Sequence, residues 1–267
     1  MAALSSKPNH VRSISFPGRS HPTSQRADEE LNKLKSLEVP AAPKADTVHN
    51  GLLGLEKLYK CIDDLINLPQ TLSQGLDAKW VDDLLDKSVR LLDVCGTARE
   101  LVSQYKENVR DLQSSLRRRK GDSTTDDSVV RFTSFSKKIK REAKKLALTL
   151  KQMDQETAVP VLLDADQDTI AATRALREAN AVCISIFQML FSFLCLPPLK
   201  PKQSKWSLLS ILVHKERIAP EAQEENPSLE TRLETFEAHL DNLENALEAT
   251  LRCLIRSRSS LLNVLSC

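Results

Sequence analysis

VDDLLDKSVRLLDVCGTARELVSQYKENVRDLQSSL, residues 81–116, decides the fold. Val81, Leu84, Ser88, Leu91, Cys95, Ala98, Val102, Tyr105, Val109, Leu112 and Leu116 follow one another at alternate steps of three and four without a break. Only a helix returns such positions to one side, so the run predicts a heptad seam. At 1.5 Å per residue, a helix carrying it spans about 60 Å. Gly96 inside the run costs about 1 kcal/mol relative to Ala, and Thr97 with Glu100 offers a cap for a restart. The expectation is one continuous or slightly bent helix.

The rest of the chain repeats this pattern. Leu229, Leu233, Phe236, Leu240, Leu243 and Leu247 form a second seam, which slips by one stutter at Leu251 and resumes through Leu254, Leu261 and Leu265. Asn226 as cap, Pro227 at the first helical position and Glu230 in the first turn mark its entry. A stripe of Val48, Leu52, Leu55, Tyr59, Ile62 and Leu65 predicts a helix capped by Asp46 or Thr47 and ending before Pro69. A further helix is expected from about Ser128 to Met153, with Phe132, Phe135, Ile139, Ala143, Leu146 and Leu150 inward, after a loop at residues 121–127 (GDSTTDD). Another runs from Asp164 to Leu196 and stops at Pro197-Pro198. Short helices are expected at Ala27–Glu38 and Trp206–His214, and residues 216–227 read as an acidic connection.

Composition agrees with few, long helices. Aromatics make up 4% of the 267 residues and there are six glycines, which disfavours sandwiches and barrels with their frequent turns and aromatic strands. The fold expected is an all-α, elongated antiparallel helical bundle over residues 27–267, preceded by a disordered Ser-, Arg- and Pro-rich tail over residues 1–26. A mean hydropathy of -0.31 argues against a polytopic membrane protein. The apolar stretch Ala181–Leu196 is shorter than the roughly 20 residues of a spanning helix, and Ser185, Gln188 and Ser192 mark a polar stripe on it. It reads as a buried bundle helix.

The net charge is only +2, yet the charges are segregated. Residues 1–27 carry Lys7, Arg12, Arg19 and Arg26 and no acid. Residues 117–145 hold eleven Lys or Arg against four acids, and residues 221–248 hold nine acids against one Arg. Part of this asymmetry is expected to be satisfied inside the bundle. The six cysteines show no C-x-x-C and no small-domain framework, which suits a reducing compartment, cytoplasmic or nuclear. The tail lacks the apolar core of a secretory signal; an organellar transit peptide is the alternative, opposed by Pro8, Pro17 and Pro22.

No catalytic signature is present: the sequence has no G-x-S-x-G, H-E-x-x-H or Gly-rich phosphate loop. Asp164, Asp166 and Asp168 imitate a calcium loop but lack its later Gly and Glu, so they read as acids complementing a helix N-terminus. His10, His21, His49, His214 and His239 read as surface imidazoles. No enzyme, metal or cofactor is expected, except if a polar pocket formed around Asp63 and Asp64.

Two segments suggest partners. On a helix, Lys137, Lys140, Arg141, Lys144 and Lys145 share one face opposite Ile139, Ala143, Leu146 and Leu150. Such a face could dock on anionic lipid, be solvated, or meet the acidic segment Glu230–Glu248. Arg117-Arg118-Arg119-Lys120 reads as an import or phosphate-binding cluster, or as cations complementing a helix C-terminus; without an aromatic platform, nucleic acid is not expected. In the tail, Arg12-Ser13-Ile14-Ser15-Phe16-Pro17 fits the R-S-x-S-x-P form that 14-3-3 proteins bind once the second serine, Ser15, carries phosphate; chance occurrence in a Ser-rich tail weighs about as much.

The segments 10–22 (HVRSISFPGRSHP), 52–71 (LLGLEKLYKCIDDLINLPQT), 90–121 (RLLDVCGTARELVSQYKENVRDLQSSLRRRKG), 137–146 (KKIKREAKKL), 205–215 (KWSLLSILVHK) and 247–267 (LEATLRCLIRSRSSLLNVLSC) resemble a plant-specific helical family grouped with the BYPASS proteins. The stretches DVCGTARELV and SRSSLLNVLS are the most specific. The resemblance implies a place in root and shoot development, and the chain is read as a non-enzymatic protein that acts there through protein contacts. It implies no biochemical activity and no catalytic residues.

Overall fold

The computed structural model describes residues 22–37, 40, 42–68, 78–118, 124–155, 167–196 and 228–265. These form helices α1 (Pro22–Lys35), α2 (Ala45–Ile66), α3 (Ala78–Arg117), α4 (Thr124–Gln155), α5 (Gln167–Leu194) and α6 (Leu229–Leu265), and no strand occurs among them. Of the tail expected over residues 1–26, residues 1–21 lie outside the described residues and residues 22–26 are helical, the start of α1; the Trp206–His214 helix and the 216–227 connection also lie outside them.

The seam read at residues 81–116 is one unbroken 40-residue helix, α3, that passes through Gly96. Leu84, Leu91, Cys95, Ala98, Val102, Tyr105, Val109 and Leu112 on it are buried. Burying a Val, Leu or Ile side chain contributes roughly 1.5–3 kcal/mol, so this one edge outweighs every surface contact of the helix.

α3 packs on α4, α4 on α5, α5 on α2, α2 on α6, and α6 back on α3, which closes a ring of five helices; α1 lies over α2 and α5. Consecutive helices run in opposite directions, as expected. Around a ring with an odd number of members, however, strict alternation cannot close, and α2 and α6 are the neighbours that run parallel. Their contacts advance together, from Asp46 beside His239, through the Leu52 carbonyl, which accepts from Thr250 Oγ1 at 3.5 Å, to Asp63 beside Ser260.

The scarce aromatic rings are concentrated where α3, α4, α5 and α6 meet. Tyr105 lies 6.2 Å from Phe132, 6.1 Å from Phe135 and 5.2 Å from Phe236, and Phe236 lies 6.1 Å from Phe193. The apolar α5 is indeed a bundle helix, with Ile186, Phe187, Met189, Leu190 and Phe191 all buried. Among the described residues, no helix is long and apolar enough to cross a membrane.

Several local expectations are corrected. α1 starts at Pro22 rather than Ala27, because proline suits a first helical position and the small Thr23 and Ser24 fit beneath the bundle surface. It also stops at Lys35, short of Glu38. Neither Asp46 nor Thr47 caps α2: the cap is Lys44, with no side-chain hydrogen bond, and Asp46 stands in the first turn, where its charge complements the helix dipole. α4 begins at Thr124, inside the expected loop, since Thr, Asp and Ser suit a helix entry as well as a turn. The cap of α6 is Ser228, not Asn226. Its Oγ accepts from the Thr231 amide at 3.1 Å, which leaves Pro227 before the helix.

The α6 seam does not slip either. Thr250 and Ser257 are buried between Leu247, Leu254 and Leu261, so alternate steps of three and four continue through two hydroxyl residues. Thr250 Oγ1 donates to the Ala246 carbonyl at 2.8 Å, which makes its burial inexpensive.

Two helical glycines differ in what surrounds them. A methyl group on Gly96 would meet nothing within 4 Å, whereas one on Gly54 would overlap Leu34 Cδ2. Leu34 is buried and holds α1 to α2. Gly96→Ala should therefore raise stability by about 0.5–1 kcal/mol, read as a higher urea midpoint. Gly54→Ala should lower it by up to about 2 kcal/mol, because overpacking exceeds the helix-propensity gain, and should increase hydrogen exchange in α1. Equal midpoint shifts for the two variants would contradict the packing of Leu34 over Gly54.

Candidate functional site

α4 is a peripheral helix with two unlike faces. Phe132, Ile139, Ala143, Leu150 and Met153 recur at helical spacing and are buried against α3 and α5. The opposite face is left to solvent. Lys137, Lys140, Arg141, Lys144 and Lys145 are all exposed there, as is Lys138. Among the described residues, no carboxylate pairs with any of these six. Their field reaches the neighbouring helix end. Cys195 Sγ donates to the Lys140 carbonyl at 3.7 Å; burial pushes this thiol up, while the Lys140 and Lys144 cations pull it partly back.

The acidic segment Glu230–Glu248 does not cover this face. It belongs to α6 and pairs with α3. Arg117 reaches Glu230 at 3.0 Å and Glu234 at 2.9 Å, Arg110 reaches Glu237, Lys106 bridges Asp241 at 2.9 Å and Glu244, and Arg99 bonds Glu248. Each step forward along α3 is matched by an equal step back along α6. The expected internal neutralisation thus occurs, but with cations of α3 rather than of α4. Further along, Arg258 Nη1 donates to the Leu85 carbonyl at 2.6 Å and to Ser88 Oγ at 2.5 Å, which extends the register to the other end of the seam. Exposed pairs of this kind contribute roughly 0–1 kcal/mol each, so they add little beside the apolar seams.

The other singled-out residues are accounted for locally. Arg118 donates to the Ser114 carbonyl at 3.3 Å, in keeping with a cation at a helix C-terminus. Asp63 accepts from Ser260 Oγ and, at 3.4 Å, from Asn67 Nδ2, while Asp64 lies at the surface, 3.8 Å from Arg26. Both carboxylates are thus engaged in pairing between helices. A small cleft lies instead between the start of α3 and the middle of α5, lined by Trp80, Asp83, Lys87, Arg177 and Asn180. Asn180 Oδ1 accepts from the Tyr59 hydroxyl at 3.3 Å, which fixes its amide.

Cys61, Cys95, Cys183, Cys195 and Cys253 are free thiols. Burial pushes Cys183 up to about 12 and Cys95 higher still, so neither is a thiolate at neutral pH. His239 Nδ1 stands 3.8 Å from Asp46, and His49 is half-buried. No group of three or more His, Cys, Asp or Glu among the described residues could hold a metal ion. Arg12, Ser13, Ser15 and Pro17, the Asp164–Asp168 triplet, Arg119 and Lys120, and His10, His21 and His214 lie outside the residues whose side chains are described.

Sequence reasoning placed the cations of α4 but missed two apolar residues on the same outer face. Val130 and Leu148 are 62% and 63% exposed, more than any other large hydrophobic residue described. Extending the steps of three and four from Lys137 in both directions would have reached them.

Fold and surface together define a helical-bundle protein whose acidic helix is neutralised from within and whose basic helix is left open. The family described as Protein BPS1 matches residues 51–264, and the chain belongs to this plant family. That span runs from the second turn of α2 to the last turn of α6, so it takes in the five-helix ring and leaves out α1. Searches of curated proteins and of solved structures return no match.

The α3–α6 pairs predict an acid-side dependence of stability. Arg99, and after it Arg252, hydrogen-bond Glu248 and hold its carboxyl below the ordinary glutamate range. A carboxyl lowered in the folded state adds stability that is present above its ordinary value and is lost as pH falls through the lowered one. Melting temperature should therefore decline below about pH 4.5, and Glu248→Gln should make that decline shallower. An unaltered acid limb in the variant would mean that this pair does not contribute.

Proposed function

We propose that this protein is a non-enzymatic interaction factor in root and shoot development, and that it binds an acidic protein surface through the outer face of α4. Membership of the BPS1 family supports the developmental setting. The contact itself rests on one observation: six exposed cations on a single helical face without a carboxylate to neutralise them among the described residues.

The burial of α4 favours a protein over a lipid surface. An amphipathic helix binds a bilayer by sinking its apolar side into the headgroup boundary. Here Ile139, Ala143 and Leu150 are fully buried in the bundle, so only the charged side is free. What remains is a row of cations on a packed helix, which steers association with an anionic partner and favours one orientation. The tail supplies a second, switchable contact. Phosphate on Ser15 would add about -1.5 to -2 charges within the R-S-x-S-x-P motif, the form 14-3-3 proteins grip.

Charge reversal tests the first contact. Wild type and a Lys137→Glu, Arg141→Glu, Lys144→Glu variant would be compared as proximity-labelling fusions in roots, with circular dichroism to confirm an equal fold. The variant should lose a defined set of acidic proteins. An unchanged set, or binding of wild type to anionic vesicles at physiological salt with no protein lost, would overturn the reading. For the tail, phosphorylated wild type should retain 14-3-3 and Ser15→Ala should not.

A further inference from the structure

Val130, Lys137, Arg141, Lys144 and Leu148 lie on one stripe of α4, separated by steps of seven, four, three and four, and all are exposed. Each stands two residues before an inward position (Phe132, Ile139, Ala143, Leu146 and Leu150), which is about 200° around the helix at 3.6 residues per turn. The stripe therefore points away from the bundle. Val130 and Leu148 mark its ends, eighteen residues or about 27 Å apart, with the cations between them.

Charge alone does not explain this arrangement. A solvated face has no use for its two most exposed aliphatic side chains at heptad positions in line with the cations. A straight stripe repeating every 3.5 residues is followed along its length by another helix, whose own side chains recur at the same period, and not by an extended chain with a period of two. The protein already contains one such pairing. The cations of α3 meet Glu230, Glu237, Asp241 and Glu248 of α6 in register beside an apolar seam. The outer stripe of α4 has the same ingredients on the basic side and lacks the acidic helix.

We propose that this stripe docks one acidic amphipathic helix of a partner protein. That helix lies lengthwise on α4, with apolar residues against Val130 and Leu148 and carboxylates opposite Lys137, Arg141 and Lys144. The proposal rests on the acidic-partner reading of this face and adds the form of the partner. A membrane is a poor fit, since the two apolar residues are isolated at opposite ends of a charged row and offer lipid no continuous surface.

A pair of peptides tests it with the full-length chain. One is a labelled, helix-stabilised peptide of about 25 residues with Leu at two positions eighteen apart and Glu at heptad spacing between them. The other is an isomer of identical composition with one Leu moved by two residues, off the shared face. Fluorescence anisotropy should show the first binding about tenfold tighter than the isomer. Val130→Ser with Leu148→Ser should remove that advantage without altering the thermal melt, and the Lys137→Glu, Arg141→Glu, Lys144→Glu variant should abolish binding of both peptides. If both peptides bind equally and the Ser variant is silent while charge reversal abolishes binding, the helical docking mode is refuted and the acidic-partner reading survives. Binding that charge reversal leaves intact, or no binding of either peptide to wild type, overturns both.

Discussion

The pairing of α3 with α6 is the interaction on which the other contacts are arranged. Two helices of 40 and 37 residues meet along apolar seams that each repeat at steps of three and four, and a row of ion pairs runs beside the seams. The division of labour follows from magnitudes. Each buried Leu contributes roughly 1.5–3 kcal/mol, and an exposed ion pair contributes roughly 0–1 kcal/mol. The seams hold the helices together, but a leucine edge tolerates sliding by a heptad. The charges oppose it only at the ends, since a slip of seven residues would bring Glu237 to Arg117 and Glu244 to Arg110 and leave Arg99 opposite Ile255. With the two helices paired, α2 fits along the other side of α6, and α4 and α5 complete the circuit through the rings around Tyr105.

Completing that circuit with five helices has a geometric cost, which falls on α2 and α6. Their parallel contact is made by small and polar groups as well as by leucines: Thr250 at the Leu52 carbonyl, Asp63 with Ser260, and Asn67 Nδ2 donating to Ser260 Oγ at 3.3 Å. Hydroxyls that satisfy their own helix backbone can be buried at modest cost and permit close approach. The same chemistry hides this contact in the sequence. Thr250 and Ser257 sit at seam positions, yet their polarity made Leu251 look like the next member and suggested a stutter.

What was legible followed from period, and what was not followed from position. Long runs such as Val81–Leu116 average over many residues, so local ambiguity did not matter, and the helix came through Gly96 intact. Helix entries depend on one or two side chains. Pro22, Lys44, Thr124 and Ser228 were each displaced from the expected start by residues with equal claims to a cap. The basic face of α4 was visible because five cations recur on one side, whereas its burial partner was not. Charge counting offers the acidic segment to the α4 face as one of three alternatives, and only the three-dimensional ring assigns it to Arg99, Lys106, Arg110 and Arg117. Val130 and Leu148 were passed over because isolated apolar residues among polar ones carry no periodic signal until the outward stripe is traced.

The contacts that close the ring join residues far apart along the chain, 113 positions for Arg117 and Glu230 and 197 for Asp63 and Ser260. During synthesis, α2 and α3 leave the ribosome long before α6 exists. Until that helix emerges, the edges of α2 and α3 that face it have no native partner and are left to transient collapse or to chaperones. Folding of the nascent chain is thus tied to α6, and a premature stop before it would release a product with a core but no closure.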